Sequence, residues 1–169
     1  MKESGLNSSI IAYKKQLDIG EIQVAYTQLV KFVMALKTRF SNTLSDQFSF
    51  GGIFQGYMDY TYFYFANDDC RKRKLKFGLV LNHEEIRFEI WLLGQTKPVQ
   101  EHYWNLLKST KWIQGETIPK YSIFEHILIE NPDFDDLSTL RETIEQRTVK
   151  TTDKILASLN QIEAVETPE

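Results

Sequence analysis

Arg87, Glu89 and Trp91 stand at two-residue steps in the segment RFEIWLLG. Alternate side chains of an extended strand share a face, so the three would lie side by side. Arginine offers a planar fork for a carboxylate or phosphate, and tryptophan a broad stacking surface. A nearby stretch, YMDYTYFYF, carries Tyr57, Asp59 and Thr61 at the same period. If that side turns the same way as Arg87, then Tyr57, Asp59, Arg87, Glu89 and Trp91 would form a polar concavity with an aromatic rim. A cross-strand ion pair on a covered face uses the same residue types, because a buried charge needs a partner whether or not anything binds.

Glu125 and His126 are adjacent in the strand-like run YSIFEHILIE. Neighbours in a strand point to opposite faces, so one of the two must turn towards an apolar side. Burial raises a glutamate pKa and lowers that of a histidine, and either group could serve as an acid or base near neutral pH. A satisfied polar group at a sheet edge is the plainer reading of both.

Other constellations are weaker. His83, His102 and His126 fall in a turn, a helix and a strand, without the HxxxH or HxH spacing that places two ligands on one metal. No metal and no cofactor are expected. Glu89 lacks the lysine two residues on that a metal-dependent nuclease strand would carry. The basic run Arg71 to Lys74 could meet phosphates, but Asp68 and Asp69 precede it and a solvated turn fits better. Cys70 lies beside Arg71 and Lys72, which would lower a thiol pKa. There is no GxSxG elbow, no P-loop, and no helix after Gly51, Gly52 and Gly56 to complete a dinucleotide fingerprint.

The elements that must position these residues follow from periodicity. Leu75, Phe77, Leu79 and Leu81, then Ile86, Phe88, Ile90 and Leu92, give two strands with one apolar face, joined by a turn at Asn82–Glu85. Two strands precede this hairpin between Gln47 and Asp68, divided near Gly56. In the second, Met58, Tyr60, Tyr62 and Tyr64 oppose Tyr57, Asp59, Thr61, Phe63 and Phe65, and neither side is polar. That strand is covered twice or lines a cavity. Helices are expected from Ser8 or Ser9 to Gly20, from Glu21 to about Phe40, from Pro98 to about Thr110, and from Asp135 or Asp136 to Ile162. Thr148, Thr151 and Thr152 weaken the last. The order predicts an α+β fold, with a mostly antiparallel sheet of about five strands packed by two N-terminal helices, one helix before the last strand and a long C-terminal helix. Residues 1–7 read as a disordered start, 8–162 as a single domain and 163–169 as a polar tail.

The segments FQGYMDYTYF, HEEIRFEIWLLG and EHILIENPDFDDLSTL together resemble a family of small bacterial proteins known only as a domain of unknown function. The resemblance runs from the Tyr13-Lys14-Lys15 helix through the C-terminal helix. It implies a single cytoplasmic domain and carries over no catalytic residue.

Composition bounds the rest. The chain has 169 residues, a net charge of −3 and one cysteine, so no global field draws it to nucleic acid and no intrachain disulfide can form. No window approaches a membrane span, and the N-terminus lacks a signal-peptide core. The expectation is a cytoplasmic, non-enzymatic module, monomer or homodimer, that binds a small molecule or a protein through its aromatic and polar sheet face. A small hydrolase pairing Glu89 or Glu125 with a histidine is the alternative. Weak nucleic-acid binding through Arg71–Lys74 comes third, and no membrane partner is expected.

Overall fold

A computed structural model describes residues 5–166. The outermost parts of the expected disordered start and polar tail, residues 1–4 and 167–169, lie outside the described residues. Five strands follow the chain across one antiparallel sheet, β1 (Ser49–Phe54), β2 (Tyr60–Ala66), β3 (Leu75–Asn82), β4 (Arg87–Gly94) and β5 (Phe124–Ile129), in the order β1-β2-β3-β4-β5. The helices are α1 (Leu6–Ile19), α2 (Glu21–Thr43), α3 (Asp68–Lys72), α4 (Lys97–Leu107) and α5 (Leu137–Glu166). This is the expected α+β architecture, with α3 added. Short connections from β1 through β4 leave antiparallel pairing as the easy solution, and β5 returns after α4 to pair antiparallel with β4.

One face of the sheet makes the core. Phe63 and Phe65 of β2, Phe77, Leu79 and Leu81 of β3, and Phe88, Ile90 and Leu92 of β4 are sealed there. Val33, Leu36 and Phe40 from α2, Leu107 from α4, and Ile144, Ile155 and Leu159 from α5 cover them. Each set follows the period of its own element, 2 on the strands and 3.6 on the helices, which lets the two layers interlock. Full burial of such side chains stabilises by roughly 1.5–3 kcal/mol each.

Several boundaries differ from the sequence reading. Ser8 and Ser9 do not stand at the cap of α1; the helix starts at Leu6 after Gly5, and among the described residues no side chain caps it. None of its residues is buried, so the Ile10, Tyr13 and Leu17 stripe faces outward. Gly20 ends α1 at φ 84°, the left-handed exit expected there. The polar break at Asn67–Lys74 is the one-turn helix α3, where Asn67 accepts from the Cys70 N–H at 2.9 Å. Ile86 belongs to the turn, at φ 47° and exposed, rather than to the apolar row of β4. The threonines that weaken α5 by propensity are buried in it, and the Thr152 hydroxyl donates back to the Thr148 carbonyl. Asp136 does cap α5, accepting from the Thr139 N–H at 3.2 Å, and the helix runs on through Glu166. Among the described residues no helix is long and apolar enough to cross a membrane.

Candidate ligand-binding face

The other face of the sheet carries no helix in its hydrophobic cluster. Val80, Trp91 and Leu93 are buried there by Tyr60, Tyr62 and Tyr64, all from the sheet itself. Pairing explains the arrangement. Tyr62 lies opposite Val80, which lies opposite Glu89; Tyr64 lies opposite Gly78, which lies opposite Trp91. Gly78 sets no side chain between Tyr64 and Trp91, and a hollow of about 490 Å³ opens over this part of the sheet. Its walls include Phe54, Tyr60, Tyr62, Trp91, Leu93 and Tyr121, with Asp59 at the rim. Phe54 stacks on Tyr62 with centroids 4.9 Å apart, and Tyr60 meets Trp91 at 5.0 Å and 68°.

The rim is built by the β1–β2 connection. Gly56 takes φ 73°, and a Cβ there would strike the Tyr60 carbonyl, so glycine is required. Asp59 Oδ1 accepts from the Tyr57 and Tyr60 N–H groups at 2.7 Å each. Those two donors hold the Asp59 carboxyl below its ordinary pKa and keep it ionised. The Tyr26 hydroxyl of α2 donates to the Gln55 and Gly56 carbonyls, and Thr61 Oγ1 donates to the Gln55 carbonyl at 2.6 Å. Thr61 Oγ1 also meets His83 Nε2 at 2.7 Å. A carbonyl can only accept, so the Thr61 proton goes to Gln55 and His83 Nε2–H is the donor. Burial lowers the His83 pKa, which keeps the ring in that neutral, donating form.

Beside Trp91 lies a closed polar network. Glu89 is 1% exposed and its carboxylate accepts three bonds: from Arg87 Nε at 2.7 Å, from Asn82 Nδ2 at 3.1 Å and from Trp91 Nε1 at 2.6 Å. Asn82 Oδ1 in turn accepts from the Glu84 and Glu85 N–H groups of the turn. Arg87 also approaches Glu130 at 3.9 Å. Glu89 therefore orients Trp91 and neutralises Arg87.

Of the five residues singled out on the sheet, Asp59 and Trp91 line the hollow, while Arg87 and Glu89 brace it from beside Trp91. Tyr57 does not join them: it is 92% exposed and precedes β2 in the rim loop. Thr61 points into the core and is 0% exposed. The expected alignment of the Tyr57/Asp59/Thr61 side with Arg87 is thus reversed within β2, where the Tyr60, Tyr62 and Tyr64 side shares the Trp91 face. The signal was in the run itself. Phe63 and Phe65 have no polar atom to satisfy, whereas each tyrosine carries a hydroxyl that prefers a wet boundary.

Glu125 and His126 diverge as strand neighbours must. Glu125 lies opposite Trp91 on the open face, and His126 lies opposite Ile90 on the helix side. Both nevertheless line one cavity of about 350 Å³ that wraps around the edge strand β5, with Trp112 and Thr117 among its other residues. Burial pushes the Glu125 carboxyl up and the His126 imidazole down. Ser122 Oγ donates to Glu125 at 3.1 Å.

The basic run is not a free cationic patch. Arg73 is locked to Glu163 by Nε and Nη2 bonds of 2.7–3.0 Å and also reaches Asn160. Arg71 pairs with Asp68 and contacts Ser49. Cys70 is fully buried, and desolvation raises its thiol pKa rather than lowering it, outweighing Arg71 and Arg73. Among the described residues no group of three His, Cys, Asp or Glu side chains could hold a metal ion.

A family model described as a domain of unknown function, DUF7000, matches residues 6–159. The chain belongs to that family. No curated protein and no solved structure matches it. Membership in DUF7000 spans nearly all the described elements, from α1 to within α5, and attaches no activity to the open sheet face.

Proposed function

We propose that this DUF7000 chain is a non-enzymatic binding module, a single cytoplasmic domain that takes a small molecule into the hollow on the helix-free sheet face. The observation that carries the reading is the hollow itself: about 490 Å³, walled by aromatic side chains with one ionised carboxylate at its rim. That volume and lining are those of ordinary small-molecule sites, ~300–1,000 Å³ and mostly apolar with a few placed polar groups. Asp59 and Trp91 touch the ligand in this reading, and Arg87 and Glu89 hold Trp91 in place. Tyr57 stands outside it.

The test is a thermal-shift screen against nucleotides, sugars, amino acids, amines, metals and short oligonucleotides, with a Tyr62→Ala variant beside the parent chain. A ligand at ~100 times its dissociation constant adds about 2.7 kcal/mol and raises the midpoint by several degrees. The expected result is a shift that a folded Tyr62→Ala protein loses. A shift that persists unchanged in that variant moves the site elsewhere, and no shift with any small molecule overturns the reading in favour of a protein partner.

A second reading is favoured by the cavity at β5, where Glu125 and His126 line the same space, the carboxyl pushed up by burial and the imidazole pushed down and so held neutral. There the raised carboxyl would donate a proton and the neutral imidazole accept one, in a small hydrolase. Hydrolysis of simple esters abolished by both Glu125→Gln and His126→Asn would support it; turnover that survives both would end it.

A further inference from the structure

The walls of the hollow limit the shape of what fits. A flat heteroaromatic ligand stacks best in a slot between two parallel rings. The parallel pair present, Phe54 and Tyr62, already touches itself at 4.9 Å and leaves no slot. The remaining rings face in different directions, Tyr60 to Trp91 at 68° and Tyr62 to Tyr64 at 49°. Rings inclined to one another present several negative π-faces to one compact volume, the arrangement that holds a rounded cation.

The charges agree with the shape. Carboxylates of Asp59, Glu84, Glu89 and Glu125 all act on Tyr60. Arg87 pairs with Glu89, and of the other three Asp59 is the one that lines the hollow. Asp59 is ionised at the rim. Rings of this lining already carry cations of the chain itself: Lys76 Nζ sits 3.7 Å from the Tyr64 centroid and Lys120 Nζ 5.0 Å from that of Tyr121. Those two rings are taken, which leaves the rings of Tyr60, Tyr62 and Trp91 for a ligand. A primary ammonium would need acceptors for three N–H bonds. The mostly apolar walls suit instead a nitrogen whose hydrogens are replaced by methyl groups.

We propose that the hollow binds an alkylated ammonium group, held by the faces of Tyr60, Tyr62 and Trp91 and by the Asp59 carboxylate at the rim. The proposal rests on the small-molecule reading of this face and names its ligand class. It is tested by isothermal titration of the full chain with choline, tetramethylammonium and benzyltrimethylammonium, against 3,3-dimethylbutan-1-ol, the uncharged isostere of choline, and indole. The expected result is that at least one cation binds, with choline at least ten-fold tighter than its isostere. Tyr60→Leu and Asp59→Asn, each checked for an intact thermal transition, should weaken the bound cation at least five-fold. Isostere or indole binding as well as the cations overturns the cation assignment and leaves the small-molecule reading standing. Binding by no cation overturns it as well, and if the wider screen is also silent the small-molecule reading falls with it. Cation binding unaffected by both variants places the ions elsewhere on the chain and overturns the site.

Discussion

Phe63 and Tyr62 are neighbours on β2, yet Phe63 is sealed beneath helices while Tyr62 lies on a face that no helix covers. The same alternation runs through β3 and β4, with Phe77, Leu79 and Leu81 against Gly78 and Val80, and Phe88, Ile90 and Leu92 against Arg87, Glu89 and Trp91. The covered face is held by helices that bring large apolar side chains from a distance in sequence. The open face has only its own strands, so it is held by ring contacts and one buried carboxylate with three donors. Apolar packing tolerates any partner of the right volume, whereas a charged network accepts few replacements. A face kept in order by such a network, without a covering layer, keeps its three β2 tyrosines partly exposed over the buried Trp91.

The largest effect should come from comparing the two neighbours directly. Phe63→Ala removes a fully buried ring and should cost about 3–5 kcal/mol. Tyr62→Ala, on the half-buried side, should cost about 1 kcal/mol or less. Guanidinium unfolding of both variants measures the gap. Equal losses would mean that the open face is a second core.

Glu89→Gln should come next. The substitution puts an NH₂ group where only an acceptor fits the Arg87, Asn82 and Trp91 donors, and it strips Arg87 of its countercharge. A cost of about 2–3 kcal/mol is expected. Arg87→Ala combined with Glu89→Gln should cost less than the two single losses added together, the mark of a coupled pair. Strict additivity would break the claim that the network orders this face.

How much of this could be read in the chain depends on what each residue answers to. Alternation in Leu75–Leu81 and Phe88–Leu92 answers to one constraint, a single greasy side, and the hairpin was legible from it. The α-helical stripes of α2, α4 and α5 were legible for the same reason, and antiparallel pairing followed from the short turns between successive strands. In β2 both sides are aromatic, so periodicity alone did not say which faces the helices, and the wrong side was grouped with Arg87. The wall residue Tyr121 comes from a distant segment that only folding brings to the hollow, and no spacing announces it. Helix α3 was hidden by its composition: NDDCRKRK is polar at every position but one, and that one, Cys70, anchors it. The Arg73–Glu163 pair spans ninety residues, so neither end hinted at the other.

Gly78→Ala sharpens the comparison with a smaller effect. The new methyl would sit 3.4–3.6 Å from Leu93, Tyr64 and Val80, ordinary contact distances, so the fold should tolerate it. Glycine inside a strand is also entropically costly, and stability should change by no more than about 0.5–1 kcal/mol, in either direction. The methyl stands in the pairing row between Tyr64 and Trp91, both of which line the hollow. Ligand affinity should therefore fall several-fold at nearly constant melting temperature. A variant that binds as well as the parent chain would mean the gap left by Gly78 is a matter of strand packing alone.

The smallest expected effect compares one carboxylate from each side. Glu163, on α5, is held below its ordinary pKa first by its hydrogen bonds to Arg73 and then by the Arg73 charge, against a desolvation cost. Asp59, on the rim of the open face, is held down by two backbone N–H groups. Both shifts have the same sign. A carboxyl whose pKa is lower in the folded chain binds protons more weakly there than in the unfolded chain, so acid favours unfolding. The stability each contributes is complete above its unfolded pKa, near 4.5 for Glu163 and 3.8 for Asp59, and is lost as pH falls from there through the folded value. Melting temperatures between pH 3 and pH 6 should thus fall more gently in Glu163→Gln than in the parent chain, starting from a lower plateau at pH 6. Asp59→Asn should flatten the curve less and only at its acid end, because its unfolded pKa is lower and an asparagine oxygen still accepts from the Tyr57 and Tyr60 N–H groups. Water screens the exposed Asp59 more than the half-buried Glu163, which acts in the same direction. A larger flattening from Asp59→Asn would reverse the ranking, and the rim loop would then hold the fold more firmly than the ion pair between Arg73, just past α3, and Glu163 of α5.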